Sequence, residues 1–462
     1  MKVLFIKKTF IVEPLGIMSL SAALKKAGHK TDIVLTNEDV EHKVSQFKPD
    51  IICYSVMTGE QKEYLVINGK LKEKFRFISF FGGPHPTFFS GIINDGGVDV
   101  ICIGEGDRAI VELADALDKH APYALIPNLW VKISRDDKIE IIKNPMARFP
   151  DNLDGYPFPD RELIYKFTAY RDNPIKHFMV SRGCPYDCSY CFNKAYSDIQ
   201  HKDSKRIRMR SVQNVIREIK DTVSKYPTKL VYFQDDIFLL DKNWLREFAE
   251  VYREEINLPY HCHVRANLVT EESIKLLKDS NCYSVHIAAE SGDETIRNEV
   301  LNRNMTEKEI IKASDILRQY EIKFMIQNMI GLPTETIRDA IKTLELNIKC
   351  KPTYAWASIF QPYPGTRIAK FCEEKGLLND ISIDDIHDNF FDDTPFNLPD
   401  KHKFINLQRL FAIIVENPIL YHTGLYNILI DQPLEKTDKL YKQAYHEFRN
   451  RKDNELYGLK LN

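Results

Sequence analysis

Cysteine is scarce in this chain. There are nine in 462 residues, an odd number, and Cys53, Cys102, Cys262, Cys282, Cys350 and Cys372 stand far apart. That spacing excludes a disulfide framework, in which an even set of close cysteines staples a small domain. Long apolar runs are lacking too. Nothing approaches the roughly 18 apolar residues of a membrane span, and the run Val3–Ile6 is broken by lysines and too short for a secretory leader. Neither charge sign dominates: the formal net charge is -2, so nothing in the balance points to nucleic acid or an anionic membrane. A reducing cytoplasm is the expected setting. What is present, 44% hydrophobic and 28% charged residues, places the chain among folded globular proteins, with length for two or three domains.

Over residues 1–120 the apolar runs KVLFI, TDIVL, DIICYS, FISFFGG and VDVICIG alternate with helix-like stretches such as Met18–Ala27. Repeated strand–helix alternation predicts a Rossmann-like, doubly wound α/β domain with a parallel sheet covered on both faces. Ligands of such sheets sit at the carboxyl ends of strands, which here carry Pro14–Gly16, Ser55–Gly59, Gly82–Pro86 and Gly104–Asp107. The proline-rich stretch 126–170, with two short β-like runs NLWVKI and KIEIIK around its start, reads as a linker that follows a first domain over 1–125. Six further strands (HFMVSR, KLVYFQ, YHCHVR, YSVHIAAE, IKFMIQNMIG and YAWASIFQPY) then alternate with helices such as Ser211–Tyr226 and Thr306–Tyr320, the latter opening with Thr306 and Glu309 at capping-box spacing. This predicts a partial (β/α)6 barrel over 171–375 whose chemistry sits at the C-terminal ends of its strands. Residues 376–462 read as a helical C-terminal region. Its apolar segment FINLQRLFAIIVENPILY is expected to pack on the barrel, with a lipid-facing or substrate-covering lid as the alternative.

One short loop breaks the thrift in cysteine: SRGCPYDCSYCFN holds Cys184, Cys188 and Cys191 directly after the first barrel strand. Cys188 and Cys191 form a C-x-x-C pair, but structural zinc takes four ligands, and the next histidine and cysteine are His201 and Cys262. Thiol–disulfide chemistry needs two cysteines, not three. An iron–sulfur cluster remains, for which thiolates are the usual ligands. Three thiolates on a four-iron cluster leave one iron open to bind something else.

C-x-x-x-C-x-x-C after a barrel strand, together with FQDD at Phe233–Asp236, AESG at Ala289–Gly292, IGLPTET at Ile330–Thr336 and PYPGT at Pro362–Thr366, resembles the radical S-adenosylmethionine (SAM) enzymes. The resemblance implies that Cys184, Cys188 and Cys191 hold a [4Fe-4S] cluster whose open iron is chelated by SAM. It also implies that one electron splits SAM into methionine and a 5′-deoxyadenosyl radical. Further implied SAM contacts are Tyr190 beside the adenine, Asp235 and Asp236 at the amino group, Glu290 at the ribose, Ser291 at the carboxylate and Gly331 beside the adenosyl group. Arg265 shares a strand face with His261 and His263 by period-two alternation and is expected to fork onto a carboxylate. Cys262 points the other way, as a buried inert thiol.

PLGIMSLSAALKKAGH, FGGPHPTFF and CIGEGDRAIVEL resemble the cobalamin-binding domain that precedes the barrel in one branch of that family. The cobalamin contacts this implies are Leu15, Gly16, Ser55, Thr58, Gly82, Gly83, His85 (in a rigid loop between two prolines), Gly104, Glu105 and Gly106. The D-x-H-x-x-G pattern that supplies a histidine to cobalt elsewhere is absent, and His29 is not set in it.

The expected function is therefore cobalamin-dependent radical SAM methylation of an unactivated carbon on a small-molecule, lipid or peptide-derived substrate. Flavodoxin or ferredoxin would be the electron donor, and no nucleic acid is expected. Cyclisation, ring rearrangement or another carbon–carbon bond formation without methyl transfer is the alternative. A non-catalytic cobalamin or redox sensor is the remote one, since it would leave AESG, GLPTET and PYPGT without a purpose.

Overall fold

The five apolar runs near the N-terminus are short parallel strands: β1 (Lys2–Lys7), β2 (Lys30–Leu35), β3 (Ile51–Ser55), β4 (Ile78–Gly82) and β5 (Val100–Cys102). They read as unbroken apolar runs because helices cover both faces of the sheet, which removes the polar alternation of a half-solvated strand. The computed structural model describes all residues except 11, 136–137, 379–385, 387–390, 392, 397 and 459–462. The chain forms two units, one of residues 1–177, 195–210 and 222–227, the other of 178–194, 211–221 and 228–462.

In the first unit the sheet runs β2-β1-β3-β4-β5-β6-β7. Its last two strands, β6 (Leu129–Arg135) and β7 (Lys138–Lys143), are antiparallel. They lie inside the stretch read as a linker, so its start is instead a hairpin added to the sheet edge. β7 is largely solvated, which is why its pattern is too polar to mark it as part of a core. One core cluster gathers Leu4, Ile6, Ile52, Tyr54, Phe81 and Ile101 beneath the helices. A second correction concerns His85: Pro84–Phe88 is a short helix and not a rigid loop, proline being well placed in a first helical turn, where its missing N–H costs nothing.

The six-stranded sheet lies in sequence order, β8 (Ile175–Phe178), β9 (Leu230–Phe233), β10 (Tyr260–His263), β11 (Cys282–Glu290), β12 (Lys323–Ile330) and β13 (Tyr354–Ile359), of which β9 to β13 lie wholly in the second unit. From β9 to β13 the paired strands are parallel. This is an open, partial barrel built by crossover helices. Thr306 and Glu309 form the expected capping box of helix Glu307–Gln319. Thr336 caps Ile337–Cys350 in the same way, with Asp339.

Helix Lys401–Glu416 buries Phe404, Leu407, Phe411 and Ile414 against Ala340, Leu344, Ala355 and Ala357 of the barrel layer. Its apolar residues face protein on nearly every side, as in a core helix. Among the described residues no helix is long and apolar enough to cross a membrane.

Candidate active site

Chain reversal after β8 begins at Gly183, which sits at φ 95°, a left-handed conformation that costs glycine little. The loop that follows is pinned along its length. Ser189 N–H donates to the Leu301 carbonyl (3.0 Å) and its hydroxyl to the Val300 carbonyl (2.6 Å). Ile368 N–H donates to the Ser189 carbonyl (3.0 Å) and Asn302 Nδ2 to the Asp187 carbonyl (2.8 Å). A loop held at four points presents its side chains in fixed directions, which a preorganised site requires.

Cys184, Cys188 and Cys191 are free thiols in the wall of a cavity of about 190 Å³, together with Tyr190, Asp236, Arg265, Glu290 and Arg303. Burial pushes the Cys184 thiol up and the Cys191 thiol up to about 12. Countering charge is close to the third thiol, where Arg265 Nη1 and Arg303 Nη1 each lie 3.8 Å from Cys188 Sγ. Arg265 also stacks over the Tyr186 ring at 3.7 Å and donates to the Arg303 carbonyl. Both guanidinium Nε atoms are buried with no hydrogen-bond partner among the described residues. Buried cationic donors with unused capacity fit an anionic guest.

Glu290 ends β11 at a register shift and at φ 68°, and such an irregularity re-aims a side chain. Its Oε1 accepts from Tyr190 Oη (2.7 Å) and lies 3.9 Å from Arg303 Nη1, which also donates to Tyr190 Oη (2.9 Å). Burial pushes the Glu290 carboxyl up, against the pull of Arg303 and Tyr190. Tyr190, half-buried, and the buried Glu290 and Arg303 thus form one polar set beside the thiols. Sequence reasoning found the first two. Arg303 was missed, lying in a loop that resembles no motif.

The other predicted SAM contacts divide. Asp236 faces the cavity, where burial pushes its carboxyl up and an Asn193 hydrogen bond pulls it down. Asp235 does not line it. Its carboxylate accepts from the backbone N–H of Val180 (2.9 Å) and Ser181 (2.6 Å) and from the Ser181 hydroxyl (2.5 Å), while burial pushes it up to about 6. Ser291, also outside the cavity wall, accepts from Asp293 N–H (3.2 Å). Gly331 sits at φ 73° and donates to Glu335 Oε2 (2.6 Å). Cys262 is fully buried, as expected.

Do the thiols fit a cluster or a single ion? The three free thiols line one cavity with two buried guanidinium groups, and thiolates are the usual ligands of an iron–sulfur cluster. The donor set fits a cluster with one iron left to an exogenous ligand.

In the first unit, β1, β3, β4 and β5 are parallel neighbours in the order β1-β3-β4-β5, so the loops after them share one sheet edge. Val56 N–H donates to the Gly82 carbonyl (2.8 Å) and His85 N–H to the Val56 carbonyl (3.0 Å). Gly83 lies at φ 100°, and a Cβ there would stand 3.0 Å from the Val56 backbone. Thr58 Oγ1 and His85 Nδ1 are 3.2 Å apart and buried. Gly104 N–H donates to Thr87 Oγ1 (3.1 Å), and the Glu105 carboxylate is engaged by Arg208. Leu15, Gly16, Ser55 and Gly106 belong to the same edge, with open space above Gly16. Small residues and hydroxyls on a closely woven edge suit the approach of a large flat group. His29 is at the opposite end, bonded to the Met1 amino group (3.2 Å) and Asp115 Oδ1 (3.0 Å). It supplies no imidazole to this edge.

Residues 178–346 match the profile described as the radical SAM superfamily, and residues 1–114 the profile described as the B12 binding domain. An uncharacterized methyltransferase of Pyrococcus horikoshii is 27% identical over 377 residues, covering 79% of each chain. The anaerobic magnesium-protoporphyrin IX monomethyl ester cyclase of Cereibacter sphaeroides is 24% identical over 377 residues, 76% of this chain and 59% of that one. In structure, the chain is similar to the radical SAM methyltransferase TsrM of Kitasatospora setae, solved with tryptophan and a SAM analogue. The TM-score is 0.67 at 18% identity, covering 82% of this chain and 77% of that one.

Proposed function

The chain belongs to the radical SAM superfamily and carries a B12-binding domain ahead of its radical SAM domain, and on that premise we propose that it is a cobalamin-dependent C-methyltransferase acting on a small molecule. The observation that carries this reading is the cavity wall that joins three free thiols to the hydrogen-bonded Tyr190–Glu290–Arg303 set, in a chain with a cobalamin-type domain and methyltransferase relatives.

When bound, the cluster supplies the electron that splits SAM, and cobalamin carries the methyl group. The protein's share is placement. Cys184, Cys188 and Cys191 are the residues that would hold the cluster. Arg265 and Arg303 offset the negative charge that three thiolates concentrate in a buried wall. Asp236 offers an acceptor to the amino group of SAM, and Tyr190 and Glu290 close the wall beside the nucleoside. Asp235, Ser291 and Gly331 act one layer back, fixing backbone that faces the ligand. On the first unit, the edge from Leu15 and Gly16 through Ser55, Thr58, Gly82, Gly83, His85, Gly104, Glu105 and Gly106 is the proposed seat of cobalamin. The cavity excludes water that would quench a reactive carbon. Flavodoxin or ferredoxin is the proposed donor.

The cyclase relative favours a second reading, bond formation without methyl transfer. Anaerobic incubation of the loaded protein with SAM and a low-potential reductant separates the two. Methyl transfer releases S-adenosylhomocysteine together with 5′-deoxyadenosine. 5′-Deoxyadenosine alone removes the methyltransferase reading, and neither product leaves a non-catalytic sensor.

A further inference from the structure

Below the wall that holds the thiols, three imidazoles meet inside the barrel. Period-two alternation puts His261 and His263 on one face of β10. The parallel register sets His263 opposite His286 and His261 opposite Ser284 on β11, so the three rings share that face. Their ring centroids are 4.2 Å apart for His261 and His286, 4.9 Å for His263 and His286 and 5.6 Å for His261 and His263. One nitrogen of each lies within 4.8 Å of the others. His261 is fully buried, His286 nearly so, and His263 and His286 reach the cavity.

Each ring is also anchored by a hydroxyl. Ser284 Oγ is 2.8 Å from His261 Nδ1, Tyr232 Oη 3.0 Å from His263 Nε2 and Tyr457 Oη 3.2 Å from His286 Nε2. A second hydrogen bond that fixes ring orientation is the arrangement found around metal-ligating histidine. On His286 the other nitrogen, Nδ1, is buried and has no hydrogen-bond partner among the described residues. A core histidine without a guest would leave that group unpaired, at the cost of its lost hydration.

We propose that His261, His263 and His286 form a binding site for a divalent transition-metal ion of the zinc type, separate from the cysteine triplet. Three imidazoles suit such an ion, and three protein ligands leave it a position for an oxygen from the cavity that His263 and His286 line. Zinc–nitrogen distances of about 2.0–2.1 Å place ligand nitrogens roughly 3.3 Å apart, so binding draws the rings together by rotation about their side-chain torsions. The site stands whether or not the chain methylates anything, because its ligands are none of the residues assigned to the cluster or to SAM.

The test uses the full-length protein with its iron–sulfur cluster assembled, equilibrated with zinc and then desalted. Metal analysis is expected to find one zinc per chain beside the iron. X-ray absorption at the zinc edge is expected to show a first shell of nitrogen and oxygen only. H286Q and the double variant H261Q/H286Q are expected to lose the zinc while keeping the iron. Three results overturn the proposal. One is no retained zinc in the native protein, which leaves the trio as a hydrogen-bonded imidazole–hydroxyl network. Another is sulfur in the zinc shell at about 2.3 Å, which assigns the ion to the cysteines. The last is zinc content unchanged in the double variant. The absorption measurement needs only the native chain, so it decides the matter even where a variant fails to fold.

Discussion

Arg303 Nη1 lies 3.8 Å from Cys188 Sγ and 2.9 Å from the hydroxyl of Tyr190, so one buried guanidinium ties the cysteine loop to the polar set at the end of β11. Its neighbours Tyr190, Glu290 and Cys188 hold its own pKa above the ordinary arginine range, outweighing the burial that opposes it. R303M leaves the Glu290 carboxyl buried without its cation, an error that costs about 3–5 kcal/mol. Urea unfolding of the cluster-loaded variant is expected to show that loss, and an EPR-monitored titration a cluster potential more negative than in the native protein. An unchanged potential would mean that Arg303 is purely structural.

Tyr190 bridges Arg303 and Glu290 through one oxygen. Y190F removes the bridge and keeps the ring. Stability is expected to fall by about 1–3 kcal/mol, the cost of buried groups left unpaired, with iron content unchanged. Loss of iron in Y190F would show that the bridge holds the loop in its ligating shape.

Glu335 supplies a pH dependence with a definite sign. Its Oε2 accepts from the N–H of Gly331 (2.6 Å) and Leu332 (3.0 Å), and burial pushes the carboxyl up to about 8, against an ordinary value of 4.5. Between those values the folded chain holds a proton that the unfolded chain has released. Stability therefore falls as pH rises through that window and levels off above it. E335Q, which cannot ionise, is expected to lose this slope. Urea midpoints measured across about pH 5 to 9 check it, and parallel curves for the two proteins would contradict it.

Gly292 of AESG is fixed by packing. A Cβ there would collide with the carbonyl of Lys342, and Gly292 N–H donates to Thr343 Oγ1 (2.8 Å). G292A is expected to cost upward of about 2 kcal/mol, the scale of overpacking against backbone, seen as a lower unfolding midpoint.

The strands of both large sheets were legible because parallel strands covered on both faces carry a continuous apolar signal, as in Ile51–Tyr54 or Leu230–Phe233. Motif spacing exposed the thiols and the loops at the strand ends. The hairpin of β6 and β7 was read as a linker because β7 keeps a solvated face and a proline-rich stretch follows. Arg303 was not legible: its place beside Cys188 comes from the turn Ile296–Val300 folding back on the loop at Ser189. Nor was His286, whose meeting with His261 and His263 depends on the register of β10 against β11, which slips between Tyr260 and His261.

The most direct measurement is electron–nuclear double resonance on the reduced cluster with SAM labelled at its amino nitrogen. A hyperfine coupling from the labelled nitrogen is expected, because the proposed ligation by the cysteine triplet would leave one iron for the amino acid end of SAM. An iron–sulfur signal that binds SAM without that coupling, or protein that holds zinc in place of iron at Cys184, Cys188 and Cys191, would contradict it.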